Sequence, residues 1–245
     1  MIMERFYDFH IHSCLSPCAD NDMTPANIAG MGMLNGLSVM ALTDHNSCGN
    51  CPAFFAACRG YGITPIAGME LTTAEDIHVV CLFRELGGAM EFSDCVHSRL
   101  MPIKNKPEIF GDQIFTDECG NEIAREDILL ISATDIFLEE VPSLVGEYGG
   151  ICYPAHIDRD ANGIIAVLGD IPPEPGFVCA ELHDASLLDT YRESYSITQG
   201  MRFVSSSDAH HLWDINMNIN SFDFSGDTEE RIRLSLFDIL SGGAT

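Results

Sequence analysis

Apolar residues gather into seven short runs, at 6–11, 37–42, 64–71, 77–83, 150–154, 177–182 and 202–206, each nearly continuous rather than alternating. Runs of that length read as strands buried on both faces. Between them, segments at 25–34, 52–60, 133–148, 185–199 and 228–240 predict helices. The first has Thr24 placed to cap it and Pro25 at its opening turn. Strands alternating with helices predict an α/β protein with a parallel sheet, most economically a closed or nearly closed barrel. Residues 84–125 interrupt the alternation and are longer than a usual loop. They read as an insertion of about 85–125 between the fourth and fifth strands, with a small hairpin at 113–122 turning at Cys119 and Gly120. No repeat or linker divides the chain, so residues 1–245 are expected to form one domain.

The polar residues on this scaffold fall at strand ends. The first run and the residue after it give Asp8, His10 and His12 at a spacing of two, which in a regular strand puts all three on one face. The second run ends in Thr43, Asp44 and His45, the third in Glu70, and the fourth carries His78. His156 follows the fifth run, and Asp208 and His210 follow the seventh. A parallel barrel gathers its C-terminal strand ends on one rim, where active sites are built. Six of the nine histidines would therefore meet there. Neutral imidazoles mixed with carboxylates suit Zn²⁺, Mn²⁺ or Fe²⁺, and a carboxylate such as Glu70 can bridge two ions. So many buried ionisable groups would be costly without a cation among them.

Composition narrows the partners. The chain has 37 acidic residues against 12 Lys and Arg, a formal net charge of −25, and only two lysines, Lys104 and Lys106. That balance offers no footprint for a long nucleic acid or an anionic membrane. No segment reads as a signal peptide or membrane span, so a soluble cytoplasmic protein is expected. Ten cysteines scattered through apolar runs fit a reducing compartment.

The ordered set His10-x-His12, Thr43-Asp44-His45, Glu70, His78, Pro154-Ala155-His156 and Asp208-Ala209-His210 resembles the polymerase-and-histidinol-phosphatase (PHP) family over residues 6 to 212. The resemblance implies a distorted (β/α)7 barrel and a phosphoesterase with two or three divalent ions. It implies that His10, His12, Glu70 and Asp208 surround one ion, and that Glu70 bridges to a second held by His78 and His156. A third would take His45, His210 and an acid from the loop after the first strand, for which Asp20 fits and Asp22 is the fallback. Hydrolysis would proceed by attack of a metal-bridging hydroxide on a small phosphorylated substrate, a nucleotide or a short oligonucleotide end.

Asp8 and Asp44 lie close to ligand histidines and are expected to orient imidazole N–H groups. His183, at the end of the sixth run, is a candidate for leaving-group protonation, and Arg159 for phosphate recognition. Asn46 and Ser47 are weaker candidates for substrate contact. Cys14, Cys18, Cys48 and Cys51 sit on two neighbouring loops and could hold zinc or an iron–sulfur cluster, although their spacing matches no standard site. Two other readings stay open: a mononuclear amidohydrolase-type deaminase, and a metal-binding regulatory module without turnover. A carboxylated-lysine amidohydrolase is excluded, since both lysines lie in the 84–125 segment.

Overall fold

The computed structural model describes residues 2–242. In chain order its elements are β1 (Ile2–Asp8), α1 (Pro25–Leu34), β2 (Val39–Leu42), α2 (Cys51–Gly60), β3 (Thr64–Thr72), β4 (His78–Phe83), α3 (Leu86–Ser98), α4 (Pro107–Phe110), β5 (Ile114–Thr116), β6 (Glu122–Arg125), α5 (Val141–Glu147), β7 (Gly150–Pro154), α6 (Ile164–Leu168), β8 (Cys179–Glu181), α7 (Leu188–Ser194), β9 (Arg202–Val204), β10 (Ser221–Ser225) and α8 (Glu229–Leu240). Six strands form one curled sheet in the order β10-β1-β2-β3-β4-β7. A separate parallel pair, β8–β9, continues the wall. The chain just past β7 meets β8 through the Ile157 N–H donating to Glu181 O at 2.9 Å, and the segments that follow β1 and β9 meet through the His12 N–H donating to Ala209 O at 3.0 Å.

The apolar runs are explained by burial on both faces. Along β2, Val39 and Ala41 pack with Ile232, Leu236 and Phe237 of α8, while Met40 and Leu42 pack with Ile28 of α1 and Phe54 of α2. Thr24 caps α1 as its sequence predicts, its Oγ1 accepting from the Asn27 N–H at 3.2 Å.

Four expectations are corrected. The sheet is mixed, not parallel: β4 runs antiparallel to both β3 and β7, and β10, absent from the sequence reading, pairs antiparallel with β1. Only residues 73–77 separate β3 from β4. Five residues suffice for a hairpin, whereas a parallel crossover needs a dozen or more. Second, the strand expected at 6–11 ends at Asp8, so the alternation predicted beyond it fails, and Phe9 and Ile11 enter different core clusters. Third, the 84–125 segment is not wholly an insertion. Its first part is α3, which buries Phe92 and Val96 in the main core. The hairpin expected near 113–122 is β5–β6. The helices expected at 133–148 and 185–199 are shorter, α5 and α7, flanked by 3₁₀ turns.

Candidate metal centre

The reversal of β4 brings its first residue, His78, to the same rim as the ends of β2, β3, β7 and β9. Three of the rim residues have left-handed backbones: Asn46 (φ 49°), His156 (φ 26°) and Asp208 (φ 50°). For non-glycine residues such angles carry strain of order 1–3 kcal/mol and mark sites where side chains are held in fixed directions.

Glu70 lies at the centre. Its Oε1 is 2.9 Å from His78 Nδ1, 3.0 Å from His156 Nε2 and 3.3 Å from His10 Nε2. Its Oε2 is 3.2 Å from His12 Nε2 and 3.1 Å from His45 Nδ1. Asp208 Oδ1 stands 3.1 Å from His12 Nε2 and 3.4 Å from His10 Nε2. Among the described residues, three overlapping groups have donor atoms close enough to share a cation: His10, His12, Glu70 and Asp208; His45, Glu70 and His78; and His12, His45 and His210.

The charges here need compensation. Burial alone would keep His10 and His12 neutral, but Glu181, Glu70 and Asp208 hold the His10 imidazole well above its usual range, and Asp208 and Glu70 push His12 up to about 9. Burial conversely drives His45 well below its usual value, and His210, helped by cationic His12, down to about 4. Against burial, the surrounding imidazoles hold Glu70 and Asp208 well below the ordinary carboxylate range. Buried carboxylates that capture protons on adjacent imidazoles are a donor set suited to divalent cations.

Eight of the nine expected ligands therefore meet. Asp20 does not: its Oδ2 faces His211 Nδ1 at 3.6 Å, outside all three groups. Cys18 is the residue of that loop that lines the cleft, beside His45, Arg159 and His210. No cysteine joins a donor group among the described residues, and Cys14, Cys48 and Cys51 are buried in the protein interior.

The supporting residues are partly as expected. Asp44 Oδ1 accepts from Ser16 Oγ at 2.7 Å, and that hydroxyl lies 3.1 Å from His12 Nδ1, so Asp44 steadies His12 through a serine. Asp8 contacts no imidazole and instead accepts from the N–H groups of Ser207 and Asn216, both at 3.1 Å. Burial pushes its carboxyl up to about 6. Sequence reasoning missed Glu181, whose Oε2 is 2.8 Å from His10 Nδ1. A lone acid at the end of an apolar strand was the signal available for it.

Arg159 Nη1 is 2.6 Å from Asp208 Oδ2, and its Nη2 is 3.3 Å from His183 Nδ1. Both side chains line the rim. Asn46 is a correction: it is fully buried, and its amide is occupied by Thr72 N, Leu130 O and Ser132 O. Ser47 is likewise turned inward, its Oγ accepting from the Gly49 N–H. Neither lines the cleft.

The PHP domain model matches residues 8–177. No curated protein sequence matches the chain significantly. Among solved structures, the lesion-specific endonuclease Q of Pyrococcus furiosus is similar with TM-score 0.66 and 19% identity, over 99% of this chain and 57% of that one. An endonuclease Q complex with a 27-mer duplex substrate carrying an abasic lesion gives 0.63 and 18%, over 97% and 57%. An amidohydrolase of Chromobacterium violaceum with bound sulfate gives 0.54 and 18%, over 89% and 91%. A protein of Bifidobacterium adolescentis described as a metal-dependent phosphoesterase gives 0.52 and 16%, over 98% and 96%. At these identities the likeness speaks for the fold, and this chain spans little more than half of endonuclease Q. No described helix is long and apolar enough to cross a membrane.

Proposed function

Because the chain belongs to the PHP domain family, matched over residues 8–177, we propose that it is a metal-dependent phosphoesterase acting on a phosphate monoester or diester of a small molecule, a nucleotide or an oligonucleotide end. The observation that carries this reading is Glu70, a single buried carboxylate within 3.3 Å of five imidazoles. The residues fit two or three ions of the Zn, Mn or Fe type. His10, His12, Glu70 and Asp208 would hold one, and Glu70, His78 and His156 a second. His12, His45 and His210 would serve a third. When bound, such ions supply Lewis acidity, an acidified water for attack and neutralisation of phosphoryl charge.

The protein's own groups do the rest. Arg159, already reaching from Asp208 to His183, presents its guanidinium to phosphate oxygens. His183 stands beside it, positioned to give a proton to the leaving oxygen. The Asp158 carboxylate fixes that segment by accepting from the N–H groups of His183 and Asp184, both at 2.8 Å. Asp44 and Glu181 hold the imidazoles in register.

The similar endonuclease Q complex holds duplex DNA, so net charge alone does not exclude a nucleic-acid substrate on this fold. The similar amidohydrolase supports amide hydrolysis as the second reading. Phosphate and ammonia release should be assayed over a panel of phosphoesters, oligonucleotides and amides, with metal analysis of the same sample. Phosphate release abolished by Glu70→Ala is expected. Ammonia release alone would favour the second reading, and no turnover at full metal loading would leave a binding module.

A further inference from the structure

Asn46 follows His45 and is fully buried, with no place in the lining of the cleft. Its backbone is left-handed, φ 49°, a region that asparagine enters more readily than most residues. Its N–H donates to Glu70 O at 3.0 Å, and its Oδ1 accepts the N–H of Thr72, the last residue of β3, at 2.9 Å. Its Nδ2 donates to Leu130 O at 2.6 Å and to Ser132 O at 2.9 Å. Two carbonyls and one N–H around a single short side chain are satisfied together by a primary amide, since a carboxylate has no donor and a hydroxyl has one.

The segment at 126–132 is gripped from its other side as well. The Leu130 N–H donates to Gln113 Oε1 at 2.8 Å, and Gln113 Nε2 donates to Glu126 O at 3.0 Å and Ile128 O at 2.7 Å. The Leu130 side chain packs with Leu15 and Leu100, and Ile131 lines the metal cleft. Two buried amides therefore run in series, from Gln113 through Leu130 to Asn46, and the series ends one residue from His45. What it fixes is the point where the chain leaves β2, and with it the His45 ring, whose Nδ1 stands 3.1 Å from Glu70 Oε2. His45 belongs to two of the three donor groups and is absent from the group of His10, His12, Glu70 and Asp208. A shift of its ring would be felt by some ions and not by others.

We propose that Asn46 is a positioning residue for His45, and that through it the 126–132 segment is part of the metal centre. The inference rests on reading the rim as the metal centre of a phosphoesterase and extends that centre to a stretch of chain that supplies no ligand.

The test is the zinc affinity of the full-length chain, resolved ion by ion in competition with a chelating dye. Asn46→Gly removes the amide and leaves the backbone unstrained, because glycine accepts a positive φ. It should weaken the ion assigned to His12, His45 and His210 by about 10–100-fold, the usual consequence of losing a group that orients a ligand, and leave the ion of His10, His12, Glu70 and Asp208 unchanged. His45→Ala should lose the same ion, and adding Asn46→Gly to it should change nothing further, as expected of two residues that act through one another. A general loosening of the fold would instead weaken every ion alike. Equal weakening of all ions, no weakening, losses that add in the double variant, or a His45→Ala variant with every ion retained overturns the proposal. Should Asn46→Gly fail to fold, Gln113→Ala, which releases Leu130 from its far side and bonds to no rim residue, is read by the same outcomes. A chain that shows the selective loss but hydrolyses no ester keeps this inference and loses the phosphoesterase reading. A hydrolysing chain in which all ions weaken alike keeps that reading and loses the inference.

Discussion

Glu181 Oε2 lies 2.8 Å from His10 Nδ1 and accepts the backbone N–H of His156 at 3.1 Å, so one buried carboxylate steadies residues assigned to two different ions. Carboxylates behind ligand histidines set ring orientation and basicity, and their loss costs about 10–100-fold in metal affinity. Glu181→Gln should therefore weaken zinc binding by that factor, with unchanged far-UV circular dichroism. A competition titration against a chelating dye measures it, and an affinity within twofold of wild type would remove Glu181 from this role.

Metal-free protein should lose stability as pH rises above neutral. His12 is pushed up to about 9 from 6.5, so its contribution is fully present below about 6.5 and is lost as pH climbs through about 9. Between pH 4 and 6.5 no net fall is expected: Asp8, raised from 3.8 to about 6, loses its contribution there, while His210, lowered to about 4, and His45, lowered by burial, gain theirs. Melting temperatures should therefore fall between about pH 6.5 and 9 without metal. That fall should vanish with zinc, because the ion replaces the protons.

Arg159→Ala should lower kcat/KM on a phosphoester by about 10–100-fold, the range for losing a charge-assisted contact of about 1.5–3 kcal/mol. Arg159→Lys should recover only part of it, since the guanidinium fork is lost. Steady-state kinetics at fixed metal content decide the matter, and unchanged kcat and KM would exclude Arg159 from the site.

Cobalt tests whether the loop after the first strand supplies a donor. Cobalt-loaded protein should show no sulfur-to-metal charge-transfer band in the near ultraviolet, since no cysteine joins a donor group among the described residues. Asp20→Ala should keep the metal stoichiometry, because its carboxylate faces His211. A band that disappears in Cys18→Ser, or a lost ion in Asp20→Ala, would restore that residue as the loop's donor.

The site was more legible in the sequence than the fold. Glu70 and six histidines could be read from their positions at the ends of apolar runs, because burying so many ionisable groups by chance is costly. The direction of β4 was not read from composition, since a strand buried on both faces looks the same either way. The five-residue link before it carried that information. Asp20 and Asn46 were misplaced for a different reason: loop side chains are aimed by local hydrogen bonds, such as those tying Asn46 to Thr72 and Leu130, that residue spacing does not encode. The β10 strand lacks the apolar density that marked the others, as the sequence Ser-Phe-Asp-Phe-Ser shows.

The join between Ile11 and Ala209 is a single bridge with the adjoining His12 bond, not a continuous ladder. His10 and His12 stand on one side of it, Asp208 and His210 on the other. An ion shared by them would act as a clasp across a hoop whose two ends are nearly 200 residues apart in the chain. Loading would then strengthen this join as well as prepare chemistry, and a chelator should make it the first place where backbone amides exchange with solvent.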